Sequence, residues 1–260
     1  MSNLRICVAG ATGWTGSAIA DAVAAAEDME LRSAVSRSSA GGECRGAPVY
    51  ASVSEALDGV DVMVDFTSHE VVKANVLAAI ERGVAVVIGT SGLTADELAE
   101  IDAAARARGV GVVAAGNFSL TAAMAQAAAL LAARHLPQWE VIDYASATKP
   151  DVPSGTAREL AERLGEVRAP ELGHPIEDLT GPREARGATV GGARVHSVRL
   201  PSFVVSTEVV FGLPDERLTI RHDAGGSPEP YVAGTLIAAR RAPGLVGVTR
   251  GLDTLLLDSG

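Results

Sequence analysis

Lysine is nearly missing from this chain. Only Lys73 and Lys149 occur, and arginine carries the rest of the positive charge. Cysteine is equally scarce. Cys7 sits in an apolar run and Cys44 in a Gly-rich loop; neither has partners at metal-ligand spacing, so no metal site is expected. Two isolated cysteines fit a reducing compartment. Hydrophobic residues make up 47% of the chain, yet no window reaches 18 uninterrupted apolar residues, which argues against a membrane span. The opening MSNLRICVAG lacks the basic region, apolar core and cleavage site of a signal peptide, so a cytoplasmic location is expected. A net charge of −10 argues against a general nucleic-acid surface. It leaves room for a small anionic ligand, which needs only local positive charge. Internal repeats and low-complexity linkers are absent too.

What is present is a regular alternation. RICVAGA (5–11), MELRSAVSR (29–37), VDVMVDF (60–66), VAVVIGT (84–90) and VGVVAAG (110–116) read as strands. Between them GSAIADAVAAAE (16–27), VSEALDG (53–59), HEVVKANVLAAIERG (69–83) and TADELAEIDAAARARG (94–109) read as helices, the last with a Thr N-cap. SSAGGECRGAP (38–48) reads as a loop. This is the pattern of a parallel sheet with helices on both faces. The character changes after residue 117. A long apolar helix (120–136), a strand (139–146) and a helix (154–167) precede a Pro/Gly-rich loop or lid (168–187). Three alternating segments (193–200, 203–212, 216–224) then read as antiparallel strands, and 231–242 returns to helix. The expected class is α/β: a Rossmann-like N-terminal dinucleotide-binding domain (1–117 with 229–260), plus a C-terminal α+β domain with a mixed or antiparallel sheet (118–228). The final helix is expected to pack back on the first domain.

AGATGWTG places Gly10, Gly13 and Gly16 at GxxGxxG spacing, around Thr12, Trp14 and Thr15. Small residues let backbone approach a pyrophosphate, and the helix start expected at Gly16 offers N–H groups and a positive dipole end. Read alone, the motif also fits a tight strand-to-helix turn without a ligand. Its place in the first βα unit favours dinucleotide binding. The second strand ends in AVSRSS, with no acid to accept from a ribose 2′-OH. Arg37 and the hydroxyls of Ser36, Ser38 and Ser39 suit a 2′-phosphate, which points to NADPH, with NADH possible. VDFTS and IGTSG end the next strands; Phe66, Thr67, Gly89, Thr90 and Ser91 are candidate walls around ribose and nicotinamide, or ordinary turn residues.

KPDVPSGTA reads as a turn into a helix. Ser154, Gly155 and Thr156 occupy or flank the N-cap, where hydroxyls and N–H groups can hold a carboxylate or simply cap the helix. Lys149 can approach the same anion, or give a proton to an atom beside the one that receives a hydride. Its plainer reading is a surface charge.

AGATGWTG, VDFTS, VIGTSG, AAGNFS, KPDVPSGTA, VHSVRL, EVVFG and LTIRHDA, in that order, resemble the 4-hydroxy-tetrahydrodipicolinate reductase (dihydrodipicolinate reductase) family of lysine biosynthesis over nearly the whole length. K-x-D-x-P-S-G-T-A is the most specific piece. Thr148-Lys149-Pro150 partly mimics the Glu-Lys-Pro of other nicotinamide enzymes, but the PSGTA continuation points here. The resemblance implies an oxidoreductase with an N-terminal dinucleotide domain and a C-terminal substrate domain, the latter usually building a homotetramer through its sheet. It implies hydride transfer from NAD(P)H to a small cyclic substrate bearing carboxylates. Lys149 corresponds to a catalytic or substrate-binding lysine, and Ser154, Gly155 and Thr156 to a carboxylate cradle. Asn117 and Phe118 of AAGNFS join the candidate cofactor residues.

One departure stands out. The family places a histidine pair before that lysine, in E-x-H-H-x-x-K, the first of the pair being its proposed proton donor. Here the segment is DYASATK, with Ala145 and Ser146 at the pair and Thr148 at a third position that is often His. Alanine cannot donate a proton, and serine is a short, neutral hydrogen-bonder. Asp143 and Tyr144 are candidate replacement acids, on opposite faces of a strand. Three readings follow: a reductase of this family acting on a different carboxylated cyclic imine or unsaturated amino acid, the lysine-pathway reaction run without the pair, and a non-catalytic NADPH-binding protein. The first is favoured. Retention of Lys149 and the Ser-Gly-Thr turn argues against the third.

Overall fold

The computed structural model describes residues 3–257. Met1, Ser2 and residues 258–260, assigned above to the first domain, lie outside the described residues. The chain divides into two compact units. One is the chain up to Leu120 together with the chain from Ser227; the other is Thr121–Gly226.

In chain order, β1 (Leu4–Ala9) leads into α1 (Trp14–Ala25) and β2 (Met29–Val35). There follow β3 (Glu43–Cys44), β4 (Ala47–Tyr50), α2 (Val53–Ala56), β5 (Val62–Asp65), α3 (Val72–Glu81), β6 (Ala85–Ile88), α4 (Ala95–Arg108) and β7 (Gly111–Ala114). Helix α5 (Leu120–Ala133) opens the second unit, with β8 (Gln138–Ala145), α6 (Gly155–Val167), β9 (Ala188–Val190), β10 (Ala193–Arg199), β11 (Val205–Leu213) and β12 (Glu216–Asp223). The chain returns to the first unit with α7 (Glu229–Arg241), β13 (Gly247–Arg250) and α8 (Leu252–Leu257).

The first unit is built on one sheet in the order β13-β7-β6-β5-β1-β2-β4-β3. Every pairing is parallel except β3 with β4. Strands β5, β6 and β7 read VMVD, AVVI and GVVA, and all their residues are buried. Such runs require cover on both faces. Helices α2, α3 and α4 supply it on the face carrying Cys7 and Ala9. Helices α1 and α7 pack together, and α7 also lies against β5 and β6. Helix α4 shows how locally some boundaries are set. Thr94 and Glu97 form a reciprocal capping box, and Gly109 ends the helix at φ 66°. Strand order reverses at β1, between β2 on one side and β5 on the other. In open α/β sheets the carboxyl ends of the strands at such a reversal form the ligand crevice.

The second unit is a five-stranded sheet, β12-β11-β8-β10-β9. Its core lies between one sheet face and the helices, with Trp139, Val141 and Phe211 against Leu160 and Leu164.

Several expectations are corrected. The segment 38–48 is not only loop: β3 and β4 form a hairpin closed by Arg45 and Gly46, both at positive φ. That is the backbone of a two-residue primed turn, normally marked by Asn-Gly or Asp-Gly; arginine in the first place hid it. Cys44 is accordingly a buried strand residue. Helix α1 starts at Trp14, so its N-cap is Gly13 and not Gly16. Strand β10 pairs parallel to β8, not antiparallel. Period-two alternation reports burial on one face and says nothing of direction; the helix between the two strands makes the parallel crossover. Strands β9 and β13 and helix α8 were not anticipated. Strand β13 extends the first sheet beside β7. The 168–187 segment contains short 3₁₀ turns at Ile176–Asp178 and Arg183–Arg186.

Candidate active site

The candidate residues fall into two groups, one in each unit. In the first unit the β1–α1 turn is packed backbone on backbone. Gly10 has φ +83°, and a Cβ there would lie 2.3 Å from the Phe66 carbonyl oxygen. A Cβ on Gly16 would lie 2.0 Å from the Gly10 oxygen, whereas one on Gly13 meets that atom only at 3.2 Å. No side chain caps α1, and its first turn holds no acid. The first-turn amides of a helix have no intrahelical acceptor, so those of Trp14, Thr15 and Gly16 sit at the positive end of a twelve-residue helix. A turn in which Gly10 and Gly16 leave no room for a Cβ, followed by a bare helix start, fits a pyrophosphate.

Thr12 crosses from this turn to the end of β2, where its Oγ1 is 2.8 Å from Ser36 Oγ. Ser36 Oγ in turn lies 3.3 Å from Ser38 Oγ. Arg37, between the two serines, is exposed. The hydroxyl chain thus flanks, along the backbone, an exposed arginine. Trp14 is 53% exposed and meets the Tyr231 ring edge-on at 6.1 Å.

The ends of β5 and β6 are tied by a residue the sequence reading did not single out. Asp65 is fully buried. Its Oδ1 accepts from Thr67 N (3.0 Å), Thr67 Oγ1 (2.7 Å) and Thr90 Oγ1 (2.6 Å), and its Oδ2 accepts from Asn75 Nδ2 (2.9 Å). Thr67 and Thr90 are thus brought together by one carboxylate. A Cβ on Gly89 would lie 2.2 Å from the Phe66 ring, so a larger residue there requires the ring to move. Phe66 packs edge-on against Phe118 at 6.0 Å. Phe118 is only 1% exposed, so its side chain backs the wall instead of facing a ligand. Asn117 Oδ1 accepts from Ser119 N at 2.8 Å, and Ser91 is exposed.

In the second unit Ser154 is the N-cap of α6, and its Oγ accepts from Ala157 N at 3.3 Å. The same hydroxyl donates to Asp143 Oδ1 at 2.6 Å, and Ser154 N donates to Asp143 Oδ2 at 2.9 Å. Its oxygen is therefore already committed within the protein. Gly155 and Thr156, in the first turn of α6, are half-buried. Lys149 Nζ pairs with Asp151 Oδ1 at 2.8 Å, each side chain 26% exposed.

The candidate replacement acids lie on opposite faces of β8. Asp143 is fully buried and also accepts from Ser197 Oγ (3.0 Å) and Arg199 Nη2 (2.8 Å). Tyr144 points the other way, donates to Glu208 Oε2 at 3.2 Å and lies under the Arg221 guanidinium. Burial and the Glu208 carboxylate both push its hydroxyl above the ordinary tyrosine value. In the segment ahead of Lys149, Ala145 is fully buried and Ser146 Oγ lies 3.1 Å from Thr148 Oγ1. His196 bonds Glu140 at 2.6 Å, on the Tyr144 face of the sheet. Asp65 and Asp143 share a signal that sequence reading passed over. Each is an acid inside a run of apolar strand residues, where an ionised group must find several donors.

A Rossmann-type sheet with a close-packed glycine turn, and an α+β unit with a lysine ahead of a capped Ser-Gly-Thr turn, make up a two-unit NAD(P)H-dependent oxidoreductase. Families described as dihydrodipicolinate reductase, N-terminus, and dihydrodipicolinate reductase, C-terminus, match residues 4–118 and 116–254. The chain belongs to the dihydrodipicolinate reductase family. It is 39% identical to the 4-hydroxy-tetrahydrodipicolinate reductase of Moorella thermoacetica, over 98% of this chain and 99% of that one. It is 36% identical to the Mycolicibacterium smegmatis enzyme of the same name, over 97% and 99%. The dipicolinate-bound dihydrodipicolinate reductase from Paenisporosarcina sp. TG-14 superimposes with a TM-score of 0.76 at 27% identity, covering 97% of this chain and 99% of that one.

Proposed function

We propose that this chain is an NADPH-dependent reductase whose substrate is a small cyclic imine or unsaturated amino acid bearing a carboxylate. The observation that carries the reading is the segment 145–150. Its only ionisable side chain is Lys149, paired to Asp151 just ahead of the capped helix α6. In the first unit the amides of Trp14, Thr15 and Gly16 receive the pyrophosphate, and Arg37 with Ser36 and Ser38 takes the 2′-phosphate. Thr67 and Thr90, held by Asp65, border the ribose and nicotinamide. The bound dihydronicotinamide supplies a hydride. In the second unit the amides at Gly155 and Thr156 take the substrate carboxylate at the positive end of α6. The Lys149 ammonium holds the substrate and gives the proton to the atom next to the carbon that accepts the hydride. Ser154 shapes this cradle by capping α6 and binding Asp143.

A second reading is the lysine-pathway reaction itself, with 4-hydroxy-tetrahydrodipicolinate as substrate and no histidine pair. Identity to curated enzymes of that name across nearly the full chain supports it. A cytoplasmic homotetramer built through the second-unit sheet is part of the proposal. The sheet face carrying Ile142, Tyr144 and Val210 is half-buried; static light scattering tests the assembly.

The deciding experiment is NADPH oxidation with freshly generated 4-hydroxy-tetrahydrodipicolinate, beside Lys149→Ala. Loss of an acid–base group typically costs ~10²–10⁴-fold in rate, and the variant is expected to fall in that range with NADPH affinity intact. Wild-type turnover establishes the lysine-pathway reading. No turnover, with NADPH still bound, directs the search to other carboxylated imines. Equal turnover by wild type and variant would remove Lys149 from the mechanism.

A further inference from the structure

The motif VHSVRL carries an arginine, Arg199, to which the proposed reaction gives no task. Arg199 lies at the end of β10, beside Ala145 in the parallel register with β8. Its side chain is 16% exposed. One nitrogen, Nη2, reaches two acceptors: Asp143 Oδ2 at 2.8 Å and the backbone carbonyl of Asp151 at 2.7 Å. An arginine Nη carries two hydrogens, one for each. Beyond the first acceptor, the Asp143 carboxylate holds both the amide and the hydroxyl of Ser154. Beyond the second, Asp151 pairs with Lys149 Nζ at 2.8 Å. Arg199 is therefore the point at which the strand under the substrate turn, the turn itself and the lysine loop meet.

We propose that Arg199 is a positioning residue that keeps Lys149 and the carboxylate turn in register, acting on the lysine through Asp151 and on the turn through Asp143. The inference rests on the role given above to Lys149 and the Ser-Gly-Thr turn. The physical reason is that neither end is fixed alone. Lys149 lies on a long flexible side chain, and its partner Asp151 sits in an irregular segment between β8 and α6. Pinning the Asp151 carbonyl fixes the backbone from which that partner projects. On the other side Asp143 is fully buried, and its carboxylate has an ion-pair partner as well as hydrogen bonds. Arg199 is the cation that contacts it. A planar guanidinium can serve both acceptors from one nitrogen while Nη1 donates to the Val198 carbonyl. A lysine at the same place carries the charge without that fixed fork.

The test uses the two-lysine composition. Protein labelled with ¹³C at lysine Cε gives signals from Lys73 and Lys149 alone, and Lys73→Arg assigns them. Wild type, Arg199→Met and Arg199→Lys are compared by the Lys149 signal, by calorimetry with pyridine-2,6-dicarboxylate, by NADPH titration and by steady-state kinetics. Arg199→Met is expected to move the Lys149 signal, weaken the dicarboxylate at least tenfold and leave NADPH affinity unchanged. A misplacement of about 1 Å at a reacting centre can cost ~10²-fold, and kcat/KM is expected to fall by that order through both a raised KM and a lowered kcat. Arg199→Lys should recover part of each loss, and stands in should the methionine variant fail to fold. A purely structural strut would lower the folded fraction and leave KM and the Lys149 signal of the folded protein at wild-type values, and that result overturns the proposal. Should wild type neither bind the dicarboxylate nor turn over substrate, the functional reading fails, while the Lys149 signal still decides what Arg199 positions.

Discussion

Two turns in this molecule do the same formal job and are built on opposite principles. Each follows a strand and opens a helix whose start can meet an anion. The β1–α1 turn is shaped by the absence of side chains: Gly10 and Gly16 are so close to neighbouring backbone that a single Cβ would collide, and no side chain caps the helix. The β8–α6 turn is shaped by side chains. Ser154 caps the helix and binds Asp143, and Asp143 binds Arg199. The contrast matches the ligands proposed. A pyrophosphate wants many amides close at hand, and bulk excludes it. A small substrate must be gripped at defined points, which calls for buried groups that hold the gripping residues still.

The comparison is broken most severely at Gly16. Gly16→Ala places a methyl 2.0 Å from the Gly10 oxygen. It is expected to cost at least ~3 kcal/mol, the upper end of overpacking, and to abolish NADPH binding. Gly13→Ala, with 3.2 Å to the same atom, should cost about 1 kcal/mol or less, as an unfavourable N-cap. Equal effects in urea unfolding would mean that glycine is needed for flexibility and not for space.

The second turn should break more gently, because its parts are several. Ser154→Ala removes the cap and one donor to Asp143, and is expected to destabilise by about 1–2 kcal/mol. It should also weaken binding of pyridine-2,6-dicarboxylate while NADPH affinity stays at the wild-type value. Retained dicarboxylate affinity would show that the turn keeps its shape without that hydroxyl.

A change expected to leave stability untouched tests where side chains do matter in the first unit. Arg37→Ala leaves the glycine turn intact. Loss of a hydrogen bond to a charged group is worth ~1.5–3 kcal/mol, so NADPH affinity should fall roughly tenfold to a hundredfold and NADH affinity should not change. A parallel loss for both cofactors would remove the 2′-phosphate role from Arg37.

Much of this was readable in advance, and unevenly. The first unit announced itself through apolar strands such as VMVD and AVVI, the glycine spacing and the Thr94 cap, since burial on both faces, close backbone approach and capping are demands that a residue meets by type alone. The β3–β4 hairpin was missed because arginine sat where Asn or Asp marks the turn. The parallel direction of β10 was missed because alternation has no direction. In the second turn the residues of KPDVPSGTA were legible as a motif, but the commitment of the Ser154 hydroxyl to Asp143 was not. That bond spans 11 positions, and the ones from Ser197 and Arg199 span 54 and 56.

The sequence by itself determined the parallel strands β1, β2, β5, β6 and β7 of the first unit, the tight glycine turn, the lack of an acid at the end of β2, and a segment 145–150 whose one ionisable side chain is Lys149. Each is a property of residue type and local spacing. Only the tertiary structure decided that Asp65 binds Thr67 and Thr90, that Asp143 and Tyr144 are each committed to hydrogen bonds on their own side of β8, and that Arg199 bridges Asp143 and the Asp151 carbonyl. A buried carboxylate draws its donors from whichever strands and loops fold beside it, and adjacency in space is not written in adjacency along the chain.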